Sequence, residues 1–460
     1  MTAAVEETGL GQAAGKAATL VRDSVKTVIA ASMVGTAIEF YDFYAYGTAA
    51  ANYFPHIFFS AKDNPTVALL MSLLTFAVAF IARPLGSLIF GHFGDRMGRK
   101  TTLVVSLMTM GVGTFLIGCL PTYDQVGVGA VAVLCLLRFI QGIGLGGEWS
   151  GAALVATENA PEDKRALYGS FPELGAPIGF FLSNGTYFVL ESFNNQDAML
   201  AWGWRVPFLL AGPLGLIVLY IRAKLADSPV YQSMNDALES KGAASADGQI
   251  AAKSGMFAPL AELFHNHLKA LIISFGACVL NAVGFYTVLT YLPTYLSDTV
   301  GMDVPQSGTI TTICLVAYVF MVFGMGHISD KFGRKKVLIG ACVAFIVLTV
   351  PAFLILNTSQ FWPVLLVELA MCATLTANDG TLSSYLTETF PTSVRFTGFA
   401  FSFNLANAIF GGTASFIATG LIALTGSSIA PAWYMVGVAA IALVAMILSH
   451  ENTDKDLNHI

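Results

Sequence analysis

Long runs of apolar residues recur along almost the whole chain and are separated by short polar stretches. A membrane-spanning α-helix needs about 20 mostly apolar residues, and in lipid only helices and closed barrels satisfy their own backbone. The pattern predicts an all-α membrane protein with twelve spans, at residues 27–53, 66–90, 101–121, 125–157, 166–192, 203–225, 268–297, 306–328, 336–356, 360–387, 396–425 and 430–449.

The longest polar interruption lies between the sixth and seventh spans and contains QSMNDALESKGAASADGQ. This composition is typical of a linker. We therefore predict an N-terminal six-helix half at 1–226, a central cytoplasmic loop at 227–265 and a C-terminal six-helix half at 266–460.

Two charged decapeptides occupy equivalent places in the two halves. GHFGDRMGRK at 91–100 follows the second span, and GHISDKFGRK at 326–335 follows the eighth. A second pair, with the spacing E-x-x-P-x-x-x-R, occurs at 158–165 and again at 388–395. Each half is therefore predicted to be one copy of the same structural unit, an arrangement found in transporters that rock one half against the other.

The first decapeptide resembles the signature of the major facilitator superfamily. Within that superfamily the chain resembles the metabolite:proton symporters, which include shikimate, α-ketoglutarate, citrate and proline/betaine permeases. The stretches that carry this resemblance are EFYDFYAYG (39–47), FIARPLGSLIFGHFGDRMGRK (80–100), RFIQGIGLGGEWSGAAL (138–154), ENAPEDKRALYGSFPELGAPIG (158–179), WGWRVPF (202–208) and DSPVY (227–231). The resemblance implies the major facilitator fold, with twelve helices in two pseudo-symmetric halves.

Composition and charge agree with a membrane location. Hydrophobic residues make up 55% of the chain and charged residues 11%, whereas about a quarter of an ordinary soluble protein is charged. If both termini lie inside, only Lys62 and Arg205 among the lysines and arginines fall in outer loops, as the positive-inside rule requires. Residues 1–26 are polar and lack the pattern of a cleavable signal peptide. We expect a multi-pass protein of the bacterial cytoplasmic membrane with cytoplasmic termini.

No residue pattern indicates an enzyme, a metal site or a cofactor. The six cysteines all fall in apolar spans without close spacing, where lone cysteines usually act as small hydrophobic residues. A nucleophile, base or metal cluster at useful spacing is absent from the sequence, and a nutrient sensor would need a soluble output domain for which the loops leave no room.

Ionisable residues inside spans are candidates for function because burying them in lipid is costly. Asp42 lies about 22 Å into the first span and Arg138 about 20 Å into the fourth, so the two can meet near the midplane. A carboxylate held by a guanidinium there can bind a proton when the pair is disturbed, and the resemblance to proton-coupled sugar porters implies the same role. The alternative is a static pair that only orders the helices.

Two further residues share the helical face of Arg138. Gln141 and Glu148 follow it at spacings of three and ten residues. Glu148 is either a second proton site or a partner of the basic loop below it. Arg83, about two turns above the charged loop, is expected to anchor the second span near the inner face.

A further set of polar and aromatic residues at membrane depth is predicted to contact substrate. Glu173 lies in PELGAP, which must form an irregular helix with freed carbonyls. Asn281 and Tyr286 in NAVGFY resemble the polar face of span 7 in sugar porters. Each polar residue of this set could instead join helices to one another. The predicted substrate-binding residues are Tyr41, Tyr46, Arg138, Gln141, Glu173, Asn281, Tyr286, Asn378, Asp379 and Asn404.

The repeated charged motifs are predicted to form a cytoplasmic gate whose ion pairs and helix-end contacts hold the inner side shut in one state. Alternatively, the glycines only permit tight turns and the basic residues only attract anionic lipid. The predicted gate residues are Gly91, Asp95, Arg96, Gly98, Arg99, Glu158, Arg165, Asp330, Arg334, Glu388 and Arg395.

Together these patterns predict a secondary active transporter that imports a small organic acid or zwitterion by proton symport through alternating access. The alternative within transport is a proton-independent facilitator of a similar metabolite. We expect the partners to be the metabolite, the proton and membrane lipid, with no nucleic acid, and we expect a monomer.

Overall fold

The computed structural model of the protein describes residues 25–59, 64–225, 227–244, 258–453 and 456–457. The predictions made for residues 1–24 and for Lys62 lie outside the described residues. The described part of the chain is almost entirely helical and contains no β-strand.

Twelve helical segments of at least 18 residues, counted with their irregular continuations, follow one another in the described part of the chain. Ten of them are long and apolar enough to cross a membrane, and the segments Val25–Asn52 and Gly175–Phe193 complete the twelve. The helices are α1 (Val25–Asn52), α2 (Pro65–Met97), α3 (Arg99–Gly118), α4 (Val128–Glu158), α5 (Gly175–Phe193), α6 (Val206–Ala223), α7 (Leu268–Phe285), α8 (Val304–Phe332), α9 (Arg334–Leu356), α10 (Phe361–Thr389), α11 (Arg395–Ala406) and α12 (Ala430–Leu448).

The charged decapeptides are mostly helical, whereas the sequence predicted turns. Helix α2 continues to Met97 and α3 begins at Arg99, so Gly98 alone forms the turn. Its φ of 104°, and the φ of 94° at the equivalent Gly333, belong to backbone conformations that favour glycine. The other glycines of the motif serve a different purpose. A Cβ on Gly91 would lie 2.6 Å from the Cα of Thr397, so this glycine lets α2 approach the start of α11.

The central connection also contains more structure than its linker composition indicated. Helices Pro229–Ala244 and Ala258–Asn266 lie within it, and residues 245–257 are outside the described residues. The first of these helices starts after Ser228, whose hydroxyl accepts a hydrogen bond from the backbone N–H of Tyr231 at 3.2 Å. Helix capping of this kind stabilises the first turn. The division of the chain into three parts stays a prediction.

Glycines in α4 bring this helix into close contact with α2. A Cβ on Gly142 would collide with the backbone of Ala79, and one on Gly146 would collide with the backbone of Arg83. Small residues permit such contacts between helices in membranes. The packing fixes α4 against the segment of α2 that carries Arg83.

The entry to α5 is irregular, as the sequence predicted. A short helix ends at Gly169, a 3₁₀ turn covers Phe171–Leu174, and α5 begins at Gly175. The hydroxyl of Thr36 in α1 donates a hydrogen bond to the carbonyl of Pro172 at 2.9 Å. This contact satisfies a freed carbonyl and holds the turn that carries Glu173 against α1.

Candidate functional site

A small polar cavity lies between the two halves near the middle of the helices. Its volume is about 20 Å³, room for roughly one water molecule. A metabolite can therefore enter only when the halves separate. The lining residues from the first half are Glu39, Phe40, Arg83, Trp149 and Glu173, and those from the second are Asn281, Phe285, Tyr286, Phe403 and Asn407.

The cavity contains an ion pair that sequence reasoning did not foresee. Arg83 Nη2 lies 3.1 Å from Glu39 Oε1, and both side chains are buried. Among the described residues, Glu39 Oε2 has no hydrogen-bond partner. The expectation that Arg83 anchors α2 near the inner face is wrong, because the arginine faces α1 across the cavity. A fixed cation and a fixed anion side by side can bind a ligand that carries both charges.

Aromatic rings surround this ion pair and connect the two halves. Trp149 stacks on Phe403 with ring centroids 3.8 Å apart. Phe40 and Phe285 are 5.7 Å apart, measured between centroids. Faces of aromatic rings attract cations, including quaternary ammonium groups. These rings close the cavity here and would flank a substrate in a more open state.

Two π-helical segments border the cavity. One begins at Tyr286 and the other at Asn407, and both residues contribute to the cavity lining. A π segment inserts one residue into the turn of a helix and is frequent at functional sites. The two segments interrupt α7 and α11 at the depth of the cavity.

A larger apolar groove lies elsewhere, between α3 and α6. Its volume is about 370 Å³, and residues such as Leu107, Phe115 and Leu216 line it. It offers almost no polar surface, whereas recognition of a metabolite needs a few converging polar groups. The smaller central cavity is therefore the better candidate for a substrate site.

Asp42 and Arg138 meet inside the first half, with Gln141 between them. Arg138 Nη1 lies 3.5 Å from Asp42 Oδ2. Gln141 accepts a hydrogen bond from Arg138 and donates one to Asp42, each at 2.5 Å. Asp42 Oδ1 has no partner in the described part of the chain. The carboxylate is thus held by two donors on one oxygen and is otherwise buried among the helices of its own half.

This acid–arginine cluster does not border the central cavity. Tyr46 lies against Arg138, with the guanidinium carbon 3.8 Å from the ring centroid, and its hydroxyl bonds that of Thr75 at 2.6 Å. Tyr41 donates to the carbonyl of Pro207 at 2.9 Å. Substrate contact by Tyr41, Tyr46, Arg138 and Gln141 stays a prediction, because in this conformation all four are enclosed in the first half.

Three predicted substrate residues come together with a tyrosine that the sequence analysis missed. Tyr318 of α8 donates a hydrogen bond to Asp379 at 2.7 Å and lies 3.5 Å from Glu173. Asn281 donates to the other oxygen of Asp379 at 2.7 Å. Glu173 belongs to the first half and the other three residues to the second, so this cluster spans the interface.

The two remaining asparagines act differently from each other. Asn404 donates to the carbonyls of Gly146 and Ala400 at 2.9 and 2.8 Å, which joins α11 to α4. Asn378 is buried and its Oδ1 has no partner among the described residues. Neither side chain lines the cavity, so substrate binding by these two asparagines stays a prediction. Asn404 joins two helices to each other, which is the alternative role that the sequence analysis considered.

Glu148 pairs with an arginine that the sequence did not single out. Arg222, in the last turn of α6, places Nη2 2.6 Å from Glu148 Oε1. Ser106 of α3 donates to the other carboxylate oxygen at 3.2 Å. The pair is buried in the first half, and neither the basic loop nor Arg138 supplies the partner of Glu148. A role of Glu148 as a second proton site stays a prediction.

At the helix ends that are predicted to face the cytoplasm, carboxylates from each half bind helix starts in the other half. Asp95 accepts hydrogen bonds from the backbone N–H groups of Phe396 and Thr397, both at 2.9 Å, and from the Thr397 hydroxyl at 2.7 Å. Asp330 accepts from the N–H groups of Ala166 and Leu167, both at 2.9 Å. Helix N-termini attract negative charge. The two repeated motifs therefore make equivalent contacts across the interface.

Ion pairs reinforce these contacts on the side of α11. Glu158 lies 3.0 Å from Arg395 and 3.5 Å from Arg99, counted between nitrogen and oxygen. Arg99 also pairs with Asp95 at 2.9 Å and donates to the carbonyl of Thr392 at 3.1 Å.

The pseudo-symmetric side repeats the arrangement. Glu388 lies 3.1 Å from Arg334 and 3.6 Å from Arg165, and Arg334 pairs with Asp330 at 3.0 Å. Arg96 is exposed, and its part in the predicted gate stays a prediction. The two networks join the halves at this end of the helices, and their role as a cytoplasmic gate stays a prediction.

Four functional candidates were missed or misplaced by sequence reasoning: Glu39, Arg83, Tyr318 and Arg222. Glu39 and Arg83 were visible as charges within spans, but nothing in their spacing indicated that they face each other. Arg222 lies close to the predicted end of its span, where a snorkelling side chain is expected. In the sequence, only its hydroxyl group within an otherwise apolar helix distinguishes Tyr318.

Comparisons with known proteins bear on the family and the fold of this chain. The family model described as "Sugar (and other) transporter" matches residues 27–460. The "Inner membrane metabolite transport protein YhjE" of Escherichia coli (strain K12) is 41% identical over 443 residues, covering 95% of this chain and 96% of that protein. The "Glycine betaine/proline/ectoine/pipecolic acid transporter OusA" of Dickeya dadantii (strain 3937) is 34% identical, with 94% and 85% covered.

Among solved structures, the proton:xylose symporter XylE of E. coli superposes with a TM-score of 0.76 at 18% sequence identity, covering 94% of this chain and 98% of that one. This likeness shows a shared fold. The long match to the family model and the identity to the relatives extend over both halves. The chain therefore belongs to the sugar (and other) transporter family and is a multi-pass metabolite permease with the twelve-helix fold of the major facilitator superfamily.

Proposed function

We propose that the protein imports a small zwitterionic metabolite, or a small organic acid, by proton symport across the bacterial cytoplasmic membrane. The observation that carries this proposal is the buried pair of Arg83 and Glu39 in a cavity between the halves. A substrate carboxylate would bind Arg83, and a substrate cation would bind Glu39 and the ring faces of Trp149 or Phe285. Both termini lie in the cytoplasm in this proposal, and the protein works as a monomer among membrane lipids.

The names of relatives support a zwitterion over a simple acid. The Dickeya protein is named for glycine betaine, proline, ectoine and pipecolic acid. Each of these compounds carries a carboxylate and a positively charged nitrogen. An ion pair in the cavity offers a partner to each group and leaves no net charge when both are satisfied.

Coupling to the proton is assigned to Asp42, which is buried in the first half, away from the cavity. Arg138 and Gln141 hold the ionised carboxylate. Displacement of either donor would weaken the support of this buried charge and favour binding of a proton. Motion of α4, which carries both donors, can therefore link proton binding to the movement of the halves.

The test is uptake into energised membrane vesicles, with and without a proton gradient. The panel contains glycine betaine, proline, shikimate, α-ketoglutarate and citrate, and each is tested with wild type, Asp42→Asn and the exposed control Asp124→Asn. We expect a gradient to drive accumulation of a zwitterion in wild type and control. In Asp42→Asn we expect accumulation to be lost while exchange down a concentration gradient continues. Uptake that only equilibrates and ignores both the gradient and Asp42→Asn would instead identify a facilitator.

A further inference from the structure

We infer that Glu173 and Asp379 form a second proton-binding site, shared by the two halves and separate from Asp42. The inference deepens the proposed function by assigning a proton to the interface itself. It rests on the arrangement of two carboxylates around one hydroxyl. Tyr318 Oη is 2.7 Å from Asp379 Oδ2 and 3.5 Å from Glu173 Oε2, so these oxygens are at most about 6 Å apart.

The donors at this site are too few for two charged carboxylates. Tyr318 has one proton, which it donates to Asp379, and Asn281 donates to the other oxygen of Asp379. Glu173 is left with the weak 3.5 Å contact, and its Oε1 has no partner in the described part of the chain. A buried carboxylate without donors is costly, and two carboxylates in one site are stable when they share a proton.

The surroundings do not supply a neutralising cation. No ion pair joins either carboxylate to a basic side chain within the described residues. Arg83, the arginine among the cavity-lining residues, already pairs with Glu39. The titratable and charged groups that face the site from the surrounding helices are Glu39 of α1, Arg83 of α2, Tyr318 of α8 and Cys372 of α10, together with Tyr286 at the end of α7.

The position of the pair gives the proton a mechanical consequence. Glu173 moves with the first half, whereas Asp379 and Tyr318 move with the second. With one proton bound the halves can meet at the centre, as they do in this structure. Without it, two negative charges repel each other across the interface. Because the cytoplasmic ion pairs still hold the inner side, loss of the proton should part the halves on the outer side.

The experiment measures the distance between spin labels at Val128 and Trp362, the exposed outer ends of α4 and α10. Cys119 and Cys135 are first replaced by serine, because they are the two cysteines that are not buried. The purified protein is studied without substrate or gradient over a range of pH. In wild type we expect the long-distance population to grow as pH rises. Repulsion of two charges at about 6 Å in an effective dielectric of about 20 corresponds to a change on the order of 100-fold in the ratio of populations.

Two variants and one matched control make the test specific. Glu173→Gln and Asp379→Asn each remove one charge with little change in shape, and we expect both to keep the short distance at every pH. Glu368→Gln is the control. It removes another buried acid from α10, about 16 Å along the helix from Asp379 and away from the interface, so it should keep the wild-type response.

The inference is overturned if wild type shows no dependence on pH, or if Glu173→Gln responds to pH as wild type does. Either result leaves the uptake experiment on Asp42 unaffected. Conversely, uptake that does not depend on a proton gradient would refute symport. The site would still be established if the wild-type change of distance with pH disappears in Glu173→Gln. Glu173→Gln is the safer variant for folding, since Glu173 has fewer hydrogen bonds to lose than Asp379.

Discussion

Replacing Asp95 with asparagine should open the cytoplasmic side of the protein. In the closed conformation this carboxylate accepts three hydrogen bonds from the start of α11 in the opposite half, two from backbone N–H groups and one from the Thr397 hydroxyl. It also pairs with Arg99 in its own half. An asparagine has one oxygen that can accept, and its amide group presents N–H donors to N–H donors of the helix start.

The size of the effect follows from the number of contacts that cannot be rebuilt. Either orientation of the asparagine leaves at least one backbone N–H without an acceptor. Hydrogen bonds to a charged group contribute about 1.5–3 kcal/mol each. Losing the equivalent of one to two such bonds destabilises the closed side by about 3 kcal/mol, which changes the ratio of open to closed molecules on the order of 100-fold.

The assay places spin labels at Met97 and Phe332, the exposed and pseudo-equivalent cytoplasmic ends of α2 and α8. Asp95→Asn should lengthen the distance between them, and cytoplasmic access to the cavity should increase. Asp227→Asn is a matched control, because Asp227, at the start of the central connection, accepts a hydrogen bond from the N–H of Lys100 at 2.9 Å. It removes a similar contact at the start of a helix without crossing the interface.

Unchanged populations in Asp95→Asn would refute the reasoning. Equal opening by Asp95→Asn and Asp227→Asn would also count against it, because the effect would then come from general loss of helix stability. Asp330→Asn supplies the pseudo-symmetric comparison. It should open the same side by a smaller amount, since Asp330 accepts two hydrogen bonds from the opposite half rather than three.

Three further predictions concern residues inside the first half. Arg222→Met should leave the buried carboxylate of Glu148 without its basic partner and destabilise the protein by about 3–5 kcal/mol. The measurement is the unfolding temperature in detergent, which should fall. Combining it with Glu148→Leu should restore most of the loss. Gly98→Ala should cost about 1–3 kcal/mol by backbone strain, because φ is 104° there, again measured by thermal unfolding. Gln141→Leu should remove the short contact to Asp42 and shift the pH at which gradient-driven uptake is half-maximal, whereas an unshifted profile would remove Gln141 from the coupling.

Much of the fold could be predicted from the sequence because lipid imposes a simple condition. A backbone in lipid must satisfy its own hydrogen bonds, so apolar runs of sufficient length become helices. The predicted spans and the observed helices agree closely, for example 336–356 against Arg334–Leu356 and 430–449 against Ala430–Leu448. The duplication was equally visible, because the charged motifs repeat at fixed spacing. The helical structure of the decapeptides could not be predicted, because glycines occur both in turns and at close contacts between helices.

The sequence placed acids and bases at membrane depth more reliably than it predicted their partners. The depth of Asp42 and Arg138 along their helices correctly predicted that the two side chains meet. Depth did not reveal that Gln141 lies between them, nor that the cluster is enclosed away from the cavity. Rotation of a helix about its axis decides which side chains face one another, and hydrophobic patterns constrain that rotation weakly when most faces are apolar.

The contacts between the halves were decided by the tertiary structure alone. Asp95 binds backbone N–H groups about 300 positions away in the chain, and every residue except proline has such a group, so no sequence pattern marks them. The meeting of Glu173 with Asp379 at Tyr318 depends likewise on how the two bundles are placed side by side. The pairing of Glu39 with Arg83 depends on how α1 and α2 are rotated within the first half. The sequence by itself determined twelve helices, two repeated halves and a set of costly buried charges. Only the packing of the helices, within each half and between the halves, determined which charges neutralise each other and which are left to bind a substrate or a proton.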